Sequence, residues 1–321
     1  MQIDSSDNGC NNQYMTYLDG GGDPGSDWDN ACILEDIEIN ANGGAYALYI
    51  YGGASGFTDF LIIRKAKFHN ATSGDYGSGL KILDDAHVRT ESLDAEDVLT
   101  WNNDIGVYLH TVDNVANGVI LADLNSQGNN QGLRMYESDY IEFDSCIFDS
   151  NTTGTAYGAR IRYSHRNTFD TCGFSDNGED GMWFQSSDQN DILYGQIEDN
   201  GNYGVQMDTS DTNEFYYIDI NANGNYGAHL GEDCDGNYFA QNSFSGNNSN
   251  GVQAYDYDVD DTWYRWLSGP GCLSGNYWHD SSWSCTESGT CDSKTMCSND
   301  YIIDTNSGTE KDYYPLRYDS Y

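Results

Sequence analysis

Proline is almost missing from this chain, with 3 in 321 residues, and basic residues are scarce, with 13 Lys and Arg against 52 Asp and Glu. The resulting net charge of −39 excludes nucleic acid and anionic lipid as partners, since both would be repelled. It fits a high-salt setting, divalent cations or a crowded cell exterior, and it keeps a surface soluble by self-repulsion. No apolar run approaches the length that spans a bilayer, so membrane insertion is not expected. Ala, Leu, Glu and Lys are thin throughout, which disfavours helices. The start, Met1-Gln-Ile-Asp4, lacks the basic and apolar regions of a signal peptide, so an exported form would be a mature or trimmed one.

What is abundant is turn-forming and aromatic: 36 Gly and 26 Tyr. Residues 167–251 read as one pattern written four times. Asn167-Thr-Phe169, Phe174, Asn177-Gly178 and Gly181-Met-Trp-Phe184 recur as Asn190-Asp-Ile192, Ile197, Asn200-Gly201 and Gly204-Val-Gln-Met207. They recur again from Asn213 and from Asn237, at steps of 23, 23 and 24 residues. Each copy holds three short runs of period-two alternation, the mark of strands facing a core on one side. Asn-Gly, Asp and Ser clusters separate the runs and supply turns, because Gly and Asn tolerate positive φ. Three strands and three turns per repeat make one coil of a three-sided, right-handed parallel β-helix that buries its apolar face only by stacking. A two-sided coil is the alternative. A leucine-rich repeat has this length but wants Leu at fixed places where none stands. Asn167, Asn190, Asn213 and Asn237 are expected to point inward at a corner, amide bonding amide.

The fold class expected is therefore all-β, with about 23–26 residues per coil. Residues 1–35 read as an N-terminal cap, 36–255 as the β-helix, and 256–321 as a Cys-, Trp- and Tyr-rich C-terminal cap. Asp256-Tyr-Asp-Val-Asp260-Asp261 and Trp263-Tyr-Arg-Trp266 do not fit a coil. Nine cysteines suggest an oxidising compartment. Cys10 and Cys32 could staple the first segment. Cys146 and Cys172 fall 26 residues apart, one lap, so stacking brings them within disulfide reach. Cys272, Cys285, Cys291 and Cys297 crowd the tail at spacings unlike a zinc site, and Cys234 is the odd one or pairs among them. Asn70, Asn151 and Asn247 head glycosylation sequons.

The repeat Asn167-Thr-Phe-Asp-Thr-Cys-Gly-Phe-Ser-Asp-Asn-Gly178 resembles the carbohydrate-binding and sugar-hydrolase repeats of NosD-like, pectin-lyase-like right-handed β-helix proteins. The tail, Gly275-Asn-Tyr-Trp-His-Asp280, Asp300-Tyr-Ile-Ile-Asp304 and Asp312-Tyr-Tyr-Pro-Leu316, is similar to the closing motif of that group, which is common in surface proteins. The resemblance implies the fold and a surface location. It leaves function open, because the fold carries lyases, hydrolases, epimerases, adhesins and structural proteins alike.

Function on a solenoid sits on outward side chains stacked along a wall. The alternation predicts one outward column of Tyr108, Arg134, Arg160, Trp183, Gln206, His229 and Gln253, and a second of His110, Tyr136, Arg162, Gln185, Asp208, Gly231 and Tyr255. Arg134, Tyr136, Arg160, Arg162, Trp183 and Gln185 form a patch suited to carbohydrate, since aromatics stack on sugar rings and Arg forks bind carboxylates. The alternatives are that these Arg pair with local Asp and stack on Tyr and Trp, or that they meet an acidic neighbour in an assembly. A lyase needs a base and a charge neutraliser, roles for which Arg160, Arg162, Tyr136 and His110 are candidates. The carboxylate pair of a glycosidase, about 5 to 9.5 Å apart, is not evident from Asp208 and Glu142. Asp256, Asp258, Asp260 and Asp261 have the oxygen density calcium takes, but no EF-hand spacing, and nothing else in the chain requires a cofactor. The lead reading is an extracellular or cell-surface structural or adhesive protein that self-associates end to end or laterally as part of a layer, sheath or filament. The alternatives are a lyase or glycoside hydrolase acting on an acidic polysaccharide, and a phage tail-spike.

Overall fold

The computed structural model describes residues 2–4, 32–51, 61–73, 76–84, 88–90, 97–113, 119–257, 261–263 and shorter stretches between 265 and 317. It is a parallel β-solenoid with three strands per coil, as in Met182–Gln185, Asp191–Leu193 and Gln196–Glu198. Each strand pairs in parallel with its counterpart one lap on. Wall A runs through Gln2–Asp4, Tyr46–Tyr51, Ser78–Leu83, Ile105–His110, Gln131–Tyr136, Ala159–Arg162, Met182–Gln185, Val205–Asp208, Ala228–Leu230, Ala254–Asp256 and Tyr301–Thr305. Wall B includes Glu142–Asp144, Thr168–Asp170, Asp191–Leu193 and Glu214–Tyr216, and wall C includes Ile147–Asp149, Gly173–Ser175, Gln196–Glu198 and Asp219–Asn221. In the first coils B and C are one strand, Cys32–Asn40 over Leu61–His69, bent where Asp36 and Lys65 take φ of 52° and 44°.

Alternation along each strand puts one set of side chains inside, and stacking sets like on like. Phe143 lies on Phe169 with ring centroids 4.5 Å apart, and Phe215 on Phe239 at the same distance. The aromatic column runs past residue 255. Trp263 lies on Phe239 at 4.6 Å, Trp278 on Phe244 at 4.4 Å, and Tyr301 on Trp278 at 4.0 Å. Trp263, expected to break the coil, is therefore fully buried in it. Antiparallel pairs, Glu287–Cys291 with Lys294–Cys297 and Tyr301–Thr305 with Glu310–Asp312, accompany this last part.

The corners use residues differently from the expectation. Positive φ falls on ordinary residues in stacked columns: Ser145, Thr171, Tyr194 and Tyr217 at 54–58° between walls B and C, and Thr111, Glu137, Tyr163 and Ser186 at 49–53° after wall A. The Asn of the repeating Asn-Gly pairs, Asn177, Asn200 and Asn223, is instead buried. Asn177 donates through N–H and Nδ2 to Asn200 Oδ1 (3.1 and 2.9 Å), Asn200 does the same to Asn223, and Asn223 to Asn247. The expected inward ladder is also there, Asn167 to Asn190 to Asn213 to Asn237. Glycine is needed where coils crowd. A Cβ on Gly181 would meet Gly204 O and Asn200 Nδ2 at 2.8 Å.

The ladders end in acceptors. Asn237 N donates to Asp261 Oδ1 at 2.6 Å, Asn276 N to Asp312 Oδ2 at 2.7 Å, and Asn247 Nδ2 to Gln253 Oε1 at 3.0 Å. Gln253 therefore turns inward. A 3-10 turn at Asn247–Asn250 lengthens this coil, so Tyr255, not Gln253, stands below His229, with Asp256 below Leu230.

Other expectations are corrected by the same packing. Cys146 and Cys172 are stacked but free. Coils about 4.8 Å apart hold parallel Cβ atoms too far apart for a disulfide, which wants roughly 3.5–4.5 Å. Their thiols turn to Leu121 O and Phe143 O instead. Cys234 is also free, with burial pushing its thiol up to about 12. Cys297 is disulfide-bonded. Cys10, Cys272 and Cys285 lie outside the described residues, as do the side chains of Cys32 and Cys291. Asn151 and Asn247 are fully buried ladder members, so neither can carry a glycan in the folded chain. Asn70 is half-buried at a corner and bonds Asn40 and His69. Asp256 and Asp261 are buried; Asp256 accepts from Trp263 Nε1 at 3.3 Å. Asp258 and Asp260, the other half of the calcium expectation, lie outside the described residues. Among the described residues no helix is long and apolar enough to cross a membrane.

Asn200→Ala would strip Asn177 of the acceptor for two buried donors. We expect it to cost roughly 2–5 kcal/mol, measured by chemical denaturation, whereas Tyr217→Ala on the surface should cost well under half of that. The carboxyl of Asp261 is pushed up to about 9, first by burial and then by Asp256. A folded pKa above the unfolded one means that the folded state holds its proton more tightly, so stability falls as pH rises from about 4 towards 9. Asp261→Asn, a neutral ladder end, should raise the thermal midpoint at pH 8 and flatten that fall. An unchanged midpoint and slope would refute the assignment.

Candidate functional site

Wall A carries the basic patch, in register. Lys81, Tyr108, Arg134, Arg160, Trp183, Gln206 and His229 stack in consecutive coils. His110, Tyr136, Arg162, Gln185 and Asp208 form the column beside them. The strands alternate, so these side chains face out while Leu109, Met135, Ile161 and Phe184 face the core. All six residues expected to bind carbohydrate thus share one wall. His110 and His229 stand coils apart and form no joint site.

The cations rest on aromatic rings. The Arg134 guanidinium lies 4.3 Å from the Tyr76 ring centroid and 5.6 Å from that of Tyr108. Arg160 lies 4.4 Å from Trp183 and 6.0 Å from Tyr157, and Arg162 lies 5.5 Å from Tyr163. Lys81 sits 4.8 Å from both Tyr46 and Tyr108. The expected stacking on Tyr and Trp is therefore present, but the expected pairing with Asp is not: among the described residues no ion pair involves Arg134, Arg160 or Arg162. The Nε–H of each is buried and donates to no partner, and Arg134 is only 9 % exposed. Burial, then Arg134 and Arg162, hold the Arg160 guanidinium below its ordinary value. It remains charged, since arginine does not give up its proton in this range. A cationic stack with like charges one coil apart and no internal counter-ion is unfavourable by itself and favourable around an anion.

Below Trp183 the wall changes sign. The Trp183 indole N–H donates to Asp208 Oδ2 at 2.7 Å, and Gln206 Nε2 to the same oxygen at 3.4 Å. Asp180 is buried under this edge, with Oδ1 accepting from Asn202 Nδ2 at 2.8 Å and Tyr203 N at 3.0 Å. Burial pushes its carboxyl up to about 6 against those hydrogen bonds. His229 is held low by burial and stacks between Tyr203 and Tyr255. Among the catalytic candidates, His110 is held low by burial and by Lys81, so it is neutral at neutral pH. Tyr136 is pushed up, chiefly by Glu137, so it keeps its proton and does not serve as a ready base.

Sequence reasoning missed Lys81, Tyr76, Tyr157 and Asp180. The signal was available: Tyr76-Gly77, Tyr157-Gly158, Tyr203-Gly204 and Tyr226-Gly227 repeat one dipeptide just before wall A strands, and Asp180-Gly181 replaces it once. Lys81 hides in a coil whose spacing to the next is 27 residues, from Lys81 to Tyr108.

A parallel solenoid of three-stranded coils defines the class of β-helix proteins. The chain belongs to the family described as right handed beta helix region, whose pattern matches residues 87–260. Solved structures to which it is similar include the periplasmic alginate epimerase AlgG, at 16 % identity over 67 % of this chain and 46 % of that one, TM-score 0.44. ORF18 of Geobacillus virus E2 matches at 17 % identity over 66 % of this chain and 47 % of that one, TM-score 0.49. The enzymatically active domain of tailspike protein 2 of bacteriophage CBA120 matches at 15 % identity over 66 % of this chain and 35 % of that one, TM-score 0.39. The chain spans about half the length of these structures or less. At such identity the likeness concerns fold alone. No curated protein matches the chain in sequence.

The Tyr203 amide reports on Asp180 directly. Its ¹H–¹⁵N resonance should titrate with a midpoint near 6, and the titration should vanish in Asp180→Asn. A flat Tyr203 resonance from pH 4 to 8 would refute the placement of that proton.

Proposed function

We infer that wall A binds an anionic, carboxylate-bearing polysaccharide. One observation carries the reading. Arg134 and Arg160 stack on consecutive coils with buried, unpaired Nε atoms, in a chain that has 52 acidic residues to offer as partners. A surface under pressure only for solubility would have neutralised them. A pyranose unit in an extended chain advances by a length close to the coil spacing of about 4.8 Å, so a polymer laid along the axis presents groups in step with the coils. Tyr76 and Trp183, neither of them buried, offer ring surface to the sugars, and the guanidiniums take the carboxylates bidentately. This reading is preferred to a structural or adhesive role, in which the anion for these cations would have to come from an acidic neighbour. The disulfide-bonded Cys297 supports work outside the cytoplasm.

Cleavage of the bound chain is a second reading, favoured by Asp180, whose carboxyl near 6 lies in the range of a general acid. New reducing ends would mark hydrolysis and new unsaturated ends elimination.

Calorimetry with oligouronates and with neutral oligosaccharides of equal length tests the binding. Arg134→Ala and Arg160→Ala should each weaken oligouronate binding about tenfold or more with circular dichroism unchanged. The salt dependence should be shallow or inverted. Salt screens the long-range repulsion of a net −39 surface more than it screens half-buried arginine contacts. Equal affinity for the neutral chains, or wild-type binding by Arg160→Ala, would overturn the reading.

A further inference from the structure

Wall C holds a second feature, independent of the arginines. Along the corner between walls B and C the column runs Ser145, Thr171, Tyr194, Tyr217. Tyr194 and Tyr217 are 58 % and 39 % exposed and stack with centroids 5.1 Å apart and planes 7° from parallel. Tyr217 covers one face of Tyr194. Above the other face stands the coil of Thr171, and two residues along that coil Gly173 has no side chain. A Cβ there would meet nothing within 4 Å. Gly173 lies in register between Ile147 above, itself 42 % exposed, and Gln196 below. The result is a groove of 590 Å³ lined over four coils, from Ser145 and Ile147 to Tyr217 and Asp219, in which the missing side chain at Gly173 opens one layer between Ile147 and Gln196.

We propose that this slot binds an uncharged pyranose unit, whose ring enters the tyrosine stack as its next layer above Tyr194. Three observations set the chemistry. The layer that Gly173 leaves open lies between Ile147 and Gln196, two coil steps of about 4.8 Å apart, which leaves room for one flat ring between them. The free face of Tyr194 is apolar and suits the C–H face of a sugar. The rest of the lining offers short hydrogen-bonding groups, Ser145, Thr171 and Gln196, with Asp219 as its ionisable carboxylate and no cation. Asp219 is pushed up by burial and by Glu198, which marks this wall as negative and unwelcoming to a uronate. The two walls then read different sugars: acidic units on wall A, neutral units on wall C.

The test uses the whole protein and a panel of neutral xylo-, manno- and gluco-oligosaccharides, followed by ligand-observed and amide NMR. Neutral chains should shift the amides of Thr171, Gly173, Tyr194 and Gln196. Gly173→Leu fills the slot on a strand position with open space, and Tyr194→Ala removes its floor; each should weaken binding about tenfold or more. Arg160→Ala should leave it unchanged, which separates this site from wall A. Three results would overturn the proposal: no neutral chain shifts these amides, Gly173→Leu binds as the wild type does, or sedimentation shows a dimer that Tyr194→Ala dissolves, meaning that a second copy occupies the slot.

Discussion

Hydrogen bonding between residues one lap apart governs this molecule. Thr168 N to Ile141 O, Asp191 N to Asn167 O and Glu214 N to Asn190 O are successive links of one such chain. It leaves each side chain little choice of neighbour, because the residue above and the residue below are set by the lap. Like therefore meets like, and the outcome depends on what is stacked. Phenylalanine on phenylalanine buries area and gains ring contact. Asparagine on asparagine closes donors on acceptors in a place where an open one would be expensive. Carboxylate on carboxylate is a cost: the Asp191 carboxyl is pushed up first by burial and then by Glu214 in the coil below. Arginine on arginine is a cost of the same kind on wall A, and there an external anion can relieve it.

Much of this could be read from the residues. The period of the Asn167, Asn190, Asn213 and Asn237 repeats gave the lap, the lap gave the register, and the register put Arg160 under Arg134 and over Trp183. What could not be read follows from two physical facts. Turn propensity assigns positive φ to Gly and Asn, but stacking offers enough hydrogen bonds to hold Thr171, Tyr194 and Glu137 in that region. Asparagine was thereby released for the interior, where the second ladder from Asn103 to Asn247 went unnoticed. A count of residues also cannot detect a turn that absorbs part of the chain. The 3-10 turn at Asn247–Asn250 moved Tyr255 by two places and Gln253 from the wall into the core.

The cysteines make the same point on a smaller scale. Equivalence of position brought Cys146 and Cys172 together, yet equivalence is what keeps them apart as a covalent pair. Parallel Cβ vectors at the coil spacing do not converge. The thiols behave as small apolar groups, with burial raising the Cys146 thiol well above its ordinary value.

The ladders also have a direction. Each Asn gives its backbone N–H and one Nδ2 proton to the next Asn towards the C-terminal end, and each column stops at an acceptor that is not asparagine: Asp261, Asp312 or Gln253. Such a column works like a zip with a stop at one end. A lap duplicated within residues 167–237 would find matching partners on both sides, so that the molecule can lengthen by whole coils. A lap appended beyond Asp261 would meet a carboxyl in place of the amide that passes the column on. Length is thus open to change in the middle of this architecture and closed at its finish.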